Sequence, residues 1–304
     1  MATFALYNYE FEISLPDDHT PDLFSKVPPT VTAKANFDRR QDVFDELLSN
    51  DHARLKPITY LSKNGKQTYK HKWLMKPQNG IYYFRLLHEH KRKLHDEDLR
   101  EHPAEDYTGC RVFFDNRKGI QRLAIEMNSA FKQLTTVENI LSRGLNDALK
   151  SRYYVKVRLE HLLKPSHFWE IVEDKISYPK GFSKMMLYFP PVNLPRLSEH
   201  IDFVVNGGRK ALESDSTVIY KAQGGSSLNI DKKDAWTKGI VESASAIGGD
   251  DAISLYPVGG KKIKVGHDNY DYINISDEML RNLEQGQTSL FALDDIKAQL
   301  KKGI

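Results

Sequence analysis

The sequence predicts an α+β protein: a mostly antiparallel sheet with covering helices in the N-terminal part, and a mixed α/β part packed against it. Apolar and polar residues alternate over 7–13, which is the period of a strand with one buried face. Two dipeptides, Asn64-Gly65 and Asn79-Gly80, favour tight turns between antiparallel strands, because both central residues of such turns need positive φ. From about Thr135 the apolar spacing becomes helical, which indicates a second structural pattern.

The first predicted domain, 1–134, is the antiparallel one. An amphipathic helix is expected over 37–48, after a proline-rich connection. The Asn-Gly turns then join a three-stranded meander with strands at 58–62, 66–75 and 80–88. A further hairpin is predicted with strands at 111–114 and 120–125, because Gly119 offers a left-handed turn position. The acidic interval 95–106 is expected to form an exposed loop or a short helix.

The second predicted domain, 135–304, alternates helices with strands. Thr135 and Glu138 have the spacing of a capping box, so a helix is predicted to begin there and to continue to Leu149. Strands are predicted at 153–159, 185–189, 218–222, 253–256, 263–265 and 270–275, and helices at 166–172, 195–212, 233–247 and near the end. No proline, glycine or polar run separates the two parts, so we expect a substantial interface between them.

The composition predicts a globular protein of a reducing compartment. The chain has 304 residues, of which 40% are apolar and 28% charged, with one cysteine, Cys110. A single cysteine cannot form an internal disulfide, and its apolar neighbours predict a buried thiol rather than a reactive one. We recognise no secretion signal and no apolar run of membrane-spanning length. We therefore expect a cytoplasmic protein without a membrane partner.

Positive charge is concentrated in one short part of the chain. The segment 54–94 contains eleven Lys or Arg and one acid, Glu89, which gives +10, whereas the whole chain is +3. Such a cluster attracts polyanions whatever the global charge. The sequence thus predicts a surface for DNA or RNA that holds phosphates with little direct sequence readout. The predicted binding residues are Lys66, Lys70, Lys72, Lys76, Arg85, Lys91, Arg92 and Lys93.

Strand alternation sharpens this prediction. Lys70 and Lys72 fall on one face of their strand, while Tyr69 and Trp73 fall on the other. Aromatic residues are abundant on both faces of the next strand, so we expect some to lie exposed beside the cations, where bases could stack. Two alternatives stay open. The lysines could serve only to keep a solvent-exposed face soluble, or this face could bind an acidic protein. The interval 95–106, which sums to −5, could fold back over the sheet as an intramolecular competitor.

The enzyme hypothesis is a metal-dependent nuclease. Asp115 and Glu126 end the two strands of the predicted hairpin, with Lys118 or Arg122 between them, and can be arranged as the carboxylates of a Mg²⁺ site. Turn chemistry explains Asp115 equally well. Histidines concentrate over 88–102, but the cations beside them and the absence of a ligand spacing argue against a metal site there. No cofactor is expected outside the nuclease hypothesis, which requires Mg²⁺.

One run of residues resembles a known group of proteins. The run Cys110-Arg111-Val112-Phe113-Phe114-Asp115-Asn116-Arg117, continued at 121–128, is similar to a segment of uncharacterised bacterial proteins from mobile elements and phage-defence neighbourhoods. The resemblance is confined to 110–128 and carries neither a defined activity nor catalytic residues. It implies a context alone, namely a cytoplasmic component of bacterial defence.

Overall fold

The computed structural model describes residues 1–15, 29–52, 60–61, 68–95, 101–189, 216–286 and 290–301. An antiparallel sheet with helices and a second, smaller sheet are present there, which confirms the α+β prediction. In chain order the elements are β1 (Ala2–Ile13), α1 (Pro29–Asp38), α2 (Arg40–His52), β2 (Tyr60–Leu61), β3 (Thr68–Trp73), β4 (Ile81–His95), β5 (Glu101–Asp115), β6 (Arg122–Glu126), α3 (Leu134–Tyr153), β7 (Val155–His161), α4 (Pro165–Glu173), β8 (Phe182–Phe189), β9 (Ser216–Lys221), α5 (Ala235–Ile247), β10 (Ile253–Pro257), β11 (Ile263–Lys264), β12 (Tyr272–Ile275), α6 (Asp277–Glu284) and α7 (Leu290–Leu300).

The chain divides into two compact units. The first comprises Met1–Phe4, Tyr9–Leu159 and Ile273–Leu300, and the second comprises Ala5–Asn8, Glu160–Tyr272 and Lys301–Ile304. Helices α3, α6 and α7 therefore belong to the same unit as the N-terminal strands. The domain boundary after residue 134 stays a prediction.

The larger sheet has the strand order β12-β1-β6-β5-β4-β3-β2, and β7 also pairs with β1. The meander β2–β3–β4 is antiparallel, as predicted. Asn79 and Gly80, in the turn between β3 and β4, have φ values of 53° and 72°, as a tight hairpin turn requires. The other predicted turn, at Asn64-Gly65, lies outside the described residues.

Strands β4 and β5 form one long hairpin, and it corrects the prediction for the acidic interval. The register is continuous from Ile81 opposite Asp115 to His95 opposite Glu101. Residues 101–106 are thus strand, not loop or helix, whereas 96–100 lie outside the described residues. The register sets Lys91 opposite Glu105, and opposite charges in directly paired positions favour an antiparallel ladder. A charged ribbon has no apolar face, so alternation of apolar residues could not reveal it.

Helices α1 and α2 replace the single helix predicted over 37–48. Pro29 is the first residue of α1, a position where its missing N–H is no loss. The two helices are separated at Arg39. Phe44 of α2 packs against Tyr9 and Phe114, with ring centroids 5.1 and 5.5 Å apart. This aromatic contact anchors α2 on the apolar face of the sheet.

The predicted capping box at the start of α3 is wrong. The helix begins at Leu134, so Thr135 lies inside its first turn and cannot act as the cap. The residue in the cap position is Gln133, which makes no side-chain capping hydrogen bond. The helix is held by its buried face instead, which includes Val137, Leu141 and Leu145.

The second unit has its own sheet and core. Its strand order is β11-β10-β8-β9, and all pairings are antiparallel. Phe168 and Trp169 of α4 and Val241 of α5 pack with Leu187 and Leu255 of the sheet in one buried cluster. The helix predicted at 195–212 lies outside the described residues. Across the part of the chain that the structure describes, no helix is both long enough and apolar enough to cross a membrane.

Candidate functional site

The predicted binding residues on β3 lie on the open face of that strand. Thr68, Lys70 and Lys72 are exposed, whereas Tyr69 between them is buried. In the register Lys72 is opposite Arg85 of β4, and Arg85 is opposite Arg111 of β5. Because directly paired residues share a face, one row of cations crosses three strands. We call Lys70, Lys72, Arg85 and Arg111 the cationic face.

The other predicted binding residues have different surroundings. Lys76 is exposed in the connection after β3. Lys91, Arg92 and Lys93 lie on β4, where the register sets them opposite Glu105, Ala104 and Pro103. Lys66 lies outside the described residues. The cations of 54–94 therefore do not all share one described surface.

The described aromatic residues of β3 and β4 nearest to these cations are not exposed, in contrast to the expectation. Tyr69, Tyr82, Tyr83 and Phe84 are all buried, with at most 7% of their surface exposed. Their rings complete the packing on the two sides of the sheet; for instance, Tyr83 stacks on Phe113 at a centroid distance of 4.0 Å. Among the residues that the structure describes, the cationic face therefore offers charges and no exposed ring on which bases could stack.

A carboxylate from a distant helix contacts the cationic face. Oε1 of Glu284, at the end of α6, accepts hydrogen bonds from Nε of Arg111 at 2.8 Å and from the Tyr83 hydroxyl at 3.0 Å. It also lies 3.5 Å from Nη2 of Arg85. Burial alone would lower the pKa of Arg111, but the hydrogen bond with Glu284 and the charge of Glu126 raise it above its ordinary value. Arg111 is therefore a fixed charge of the fold.

Glu126 is fully engaged by its neighbours. Its Oε1 accepts a hydrogen bond from Nη1 of Arg111 at 2.8 Å, and its Oε2 accepts one from the Arg111 backbone N–H at 2.9 Å. The side-chain amide of Asn128 donates to the same Oε2 at 3.0 Å. These contacts fix the end of β6 against β5.

Asp115 has a separate partner. It is completely buried, and its carboxylate accepts hydrogen bonds from Nε and Nη2 of Arg117 at 2.9 and 2.6 Å. In the register Asp115 is opposite Arg122, whereas Glu126 bonds to Arg111, four residues further along β5. Four residues of strand span about 13 Å. The structure thus does not bring Asp115 and Glu126 together, although one Mg²⁺ would need both oxygens within about 2.1 Å.

No group of three or more His, Cys, Asp or Glu side chains is placed to hold a metal ion within the described ranges. The sequence also matches no protein-family model and no curated protein. The function must therefore be argued from the residues themselves. Glu284 had no sequence signal, because it lies in a short helix remote from the basic segment and only the fold brings it to the arginines.

Proposed function

We propose that this protein binds nucleic acid through phosphate contacts on the cationic face. The observation that carries the proposal is the exposure of Lys70 and Lys72 on one side of β3, where Lys72 is paired with Arg85 of the next strand. Proteins commonly bind phosphate oxygens with flexible ammonium groups together with a more rigid guanidinium. A sheet face without exposed rings would contact the sugar-phosphate backbone of the nucleic acid and would not distinguish one base from another.

The exposure of Lys70 and Lys72 favours them over the partly buried Arg85 and Arg111 as phosphate contacts. Arg85 and Arg111 share the carboxylate of Glu284. Opposite charges at such positions lower the local potential that a phosphate would meet. We therefore assign the main contacts to Lys70 and Lys72, with Arg85 as the next contributor.

A charge-reversal experiment tests the proposal. Binding of fluorescently labelled duplex DNA, single-stranded DNA and RNA would be followed by anisotropy for wild type and the double variant Lys70→Glu, Lys72→Glu. The matched control is Lys118→Glu, Lys180→Glu, which makes the same charge change at exposed positions that are not among the four residues of this face. We expect the first variant to lose affinity at least tenfold for every sequence, and the control to lose much less.

Two outcomes would overturn the proposal. Equal losses in both double variants would mean that net charge alone matters, and the lysines would then serve solubility. Absence of binding to every nucleic acid at low salt, in a folded protein, would leave the docking of an acidic protein as the better hypothesis. As part of the proposal we place the protein in the cytoplasm, in the bacterial defence context that the resemblance at 110–128 implies.

A further inference from the structure

Strand β9 lies at one edge of the smaller sheet and is long for that position. It has six residues, whereas β11 at the opposite edge has two. At the two ends of the larger sheet, β12 has four residues and β2 has two. Proteins commonly keep edge strands short, or interrupt them with proline or a bulge, because an open edge can pair with another strand. Neither proline nor a bulge interrupts β9, whose register with β8 is continuous over six pairs.

The backbone groups of every second residue of β9 point away from β8. The N–H of Ala222 donates to the carbonyl oxygen of Ser183 at 2.8 Å, so these two residues form a hydrogen-bonded pair. Such pairs alternate with non-hydrogen-bonded ones along an antiparallel ladder. Thr217, Ile219 and Lys221 therefore direct their N–H and C=O groups outward. Within the part of the chain that the structure describes, no strand pairs with that side of β9.

Strand β7 shows how a side chain can satisfy a strand instead. The Oδ1 atom of Asn146, in α3, accepts a hydrogen bond from the N–H of Val157 at 2.6 Å, and its Nδ2 donates to the carbonyl oxygen of Val157 at 2.9 Å. Among the described residues, no side chain makes such bonds to the outward groups of β9. These groups are therefore available to a partner strand.

Exposed apolar side chains lie at the same edge. Ile219 is 47% exposed, and Trp236, in the first turn of α5, is 44% exposed. The ring of Trp236 lies 5.4 Å from that of Tyr220, edge to face, so the indole extends the apolar surface of β9. Aromatic residues are enriched in protein interfaces. The edge thus combines open backbone groups with apolar surface, which favours a protein partner.

We propose that two copies of this chain pair through β9, antiparallel and about a two-fold axis at Ile219. The symmetry sets Ile219 opposite itself and Thr217 opposite Lys221 of the second copy. Each such pair exchanges two backbone hydrogen bonds. The two four-stranded sheets then join into one continuous sheet. The pairing goes beyond nucleic-acid binding and uses none of the four residues of the cationic face, so either proposal can fail alone.

The side chains of β9 suit pairing with a second copy of the same strand. Ile219 meets Ile219 on one face, and Val218 lies opposite Tyr220 on the other, which is a favourable pair of a β-branched and an aromatic residue. Lys221 meets Thr217, so the two copies of Lys221 lie four residues of strand apart, about 13 Å. An axis at Lys221 would instead set two lysines opposite each other, which destabilises a ladder. Charge therefore favours the axis at Ile219.

The dimer should be reversible. Stable interfaces bury about 1,200–2,000 Å² in total, and a pair of six-residue strands with one tryptophan beside each is small by that measure. We expect a dissociation constant of about 1–100 μM.

Sedimentation velocity between about 1 and 300 μM tests the pairing. Wild type should pass from monomer to dimer within this range. Ile219→Lys should weaken the dimer about tenfold or more, because it removes an apolar contact and sets two lysines opposite each other. The matched control is Ile176→Lys, which makes the same substitution at a residue that is 95% exposed in the same unit, and it should dimerise as wild type does. Melting curves at about 1 μM should be nearly the same for all three proteins.

Thr217→Pro tests the role of the backbone. It removes an N–H that points outward and leaves the ladder with β8 intact, so the monomer should stay folded. Both copies lose a hydrogen bond, and the dimer should weaken about tenfold.

A mixture of Ile219→Lys and Ile219→Glu tests the axis itself. A two-fold axis at residue 219 sets Lys opposite Glu in the mixed dimer and like charges opposite each other in each variant alone. The mixture should therefore dimerise at least about threefold more tightly than either variant.

Three results would overturn the proposal. Wild type that stays monomeric up to about 300 μM shows that β9 does not pair with a second copy. A dimer that Ile219→Lys and Thr217→Pro leave as tight as wild type forms elsewhere on the molecule. A mixture that dimerises no more tightly than its two components excludes an axis at Ile219.

Discussion

Nε of Arg111 donates a hydrogen bond of 2.8 Å to Glu284, although the two residues are 173 positions apart in the chain. The same carboxylate oxygen lies 3.5 Å from Arg85. Glu284 is thus shared by two of the four cations of the cationic face. It ties α6 to the sheet, and it competes with any phosphate for the arginines.

Replacing Glu284 by Gln should have opposite effects on stability and on binding. The side chain keeps its shape but loses the charge that faces Arg85 and Arg111, so we expect the free energy of unfolding to fall by about 1–3 kcal/mol. Nucleic-acid affinity should rise, because the guanidinium groups gain freedom to meet a phosphate. Urea unfolding and anisotropy titrations measure the two effects.

Glu242→Gln is the control for this prediction, since Glu242 is exposed and lies 3.9 Å from Lys238 in a weak surface pair. It should change neither quantity measurably. Lower affinity in Glu284→Gln would show that the arginines make no phosphate contact and that Glu284 supports the site in another way.

The salt dependence of binding should report Lys70 and Lys72 directly. Each phosphate neutralised on duplex DNA contributes about −0.9 to the slope of log affinity against log salt, and about −0.7 on a single strand. Neutralising both lysines with Gln should therefore make the slope less steep by about 1.8 or 1.4, respectively. An unchanged slope would mean that other cations hold the phosphates.

Asp115→Asn should act through stability and not through catalysis. The change removes the charge that holds Arg117 in a buried contact, and we expect a loss of about 2–3 kcal/mol in the free energy of unfolding. The nuclease hypothesis predicts the reverse, with Mg²⁺-dependent cleavage abolished and stability nearly unchanged. Denaturant unfolding together with a cleavage assay on DNA and RNA separates the two.

Cys110 should resist thiol reagents until the protein unfolds. Burial, and then the charge of Glu126, raise the pKa of this thiol well above its ordinary value. The unfolded chain releases the proton above about pH 8.5 while the folded protein retains it, so stability should fall as pH rises beyond that point. Labelling in native buffer and in urea at pH 8 tests the first statement.

The predicted fall in stability with rising pH is tested by measuring the unfolding of wild type and Cys110→Ala between about pH 8 and 9.5. The variant should lose most of the pH dependence of its free energy of unfolding. Rapid labelling of the native protein would show that the thiol is accessible, in contradiction of its 1% exposure.

Local sequence rules predicted the elements that have a local cause. The Asn79-Gly80 turn follows from the positive φ that both positions need. Alternation predicted the strand β1 but not its burial on both faces, where even Glu10 between Tyr9 and Phe11 is buried. The exposure of Lys70 and Lys72 also follows from this period of two. In each case the residues that decide the structure are neighbours in the chain.

The features that escaped prediction depend on distant parts of the chain. The extension of β4 and β5 rests on pairing between charged strands, which has no apolar signature. Helix α3 begins at Leu134, one residue before its predicted cap Thr135. The packing of its buried face determines where it begins more strongly than a single capping hydrogen bond would. The contact of Glu284 with Arg85 and Arg111 joins a C-terminal helix to two strands, so no single segment predicts it.

The long β4–β5 hairpin also has a consequence for the order in which the chain folds. Its innermost pair, His95 and Glu101, closes a loop of only a few residues, and each further pair adds to a growing ladder. Pairing of β1 with β6, by contrast, must close a loop of about a hundred residues, which costs more chain entropy and slows the search. The ribbon should therefore acquire protected amide protons early in refolding and serve as the template on which the other strands of the larger sheet assemble.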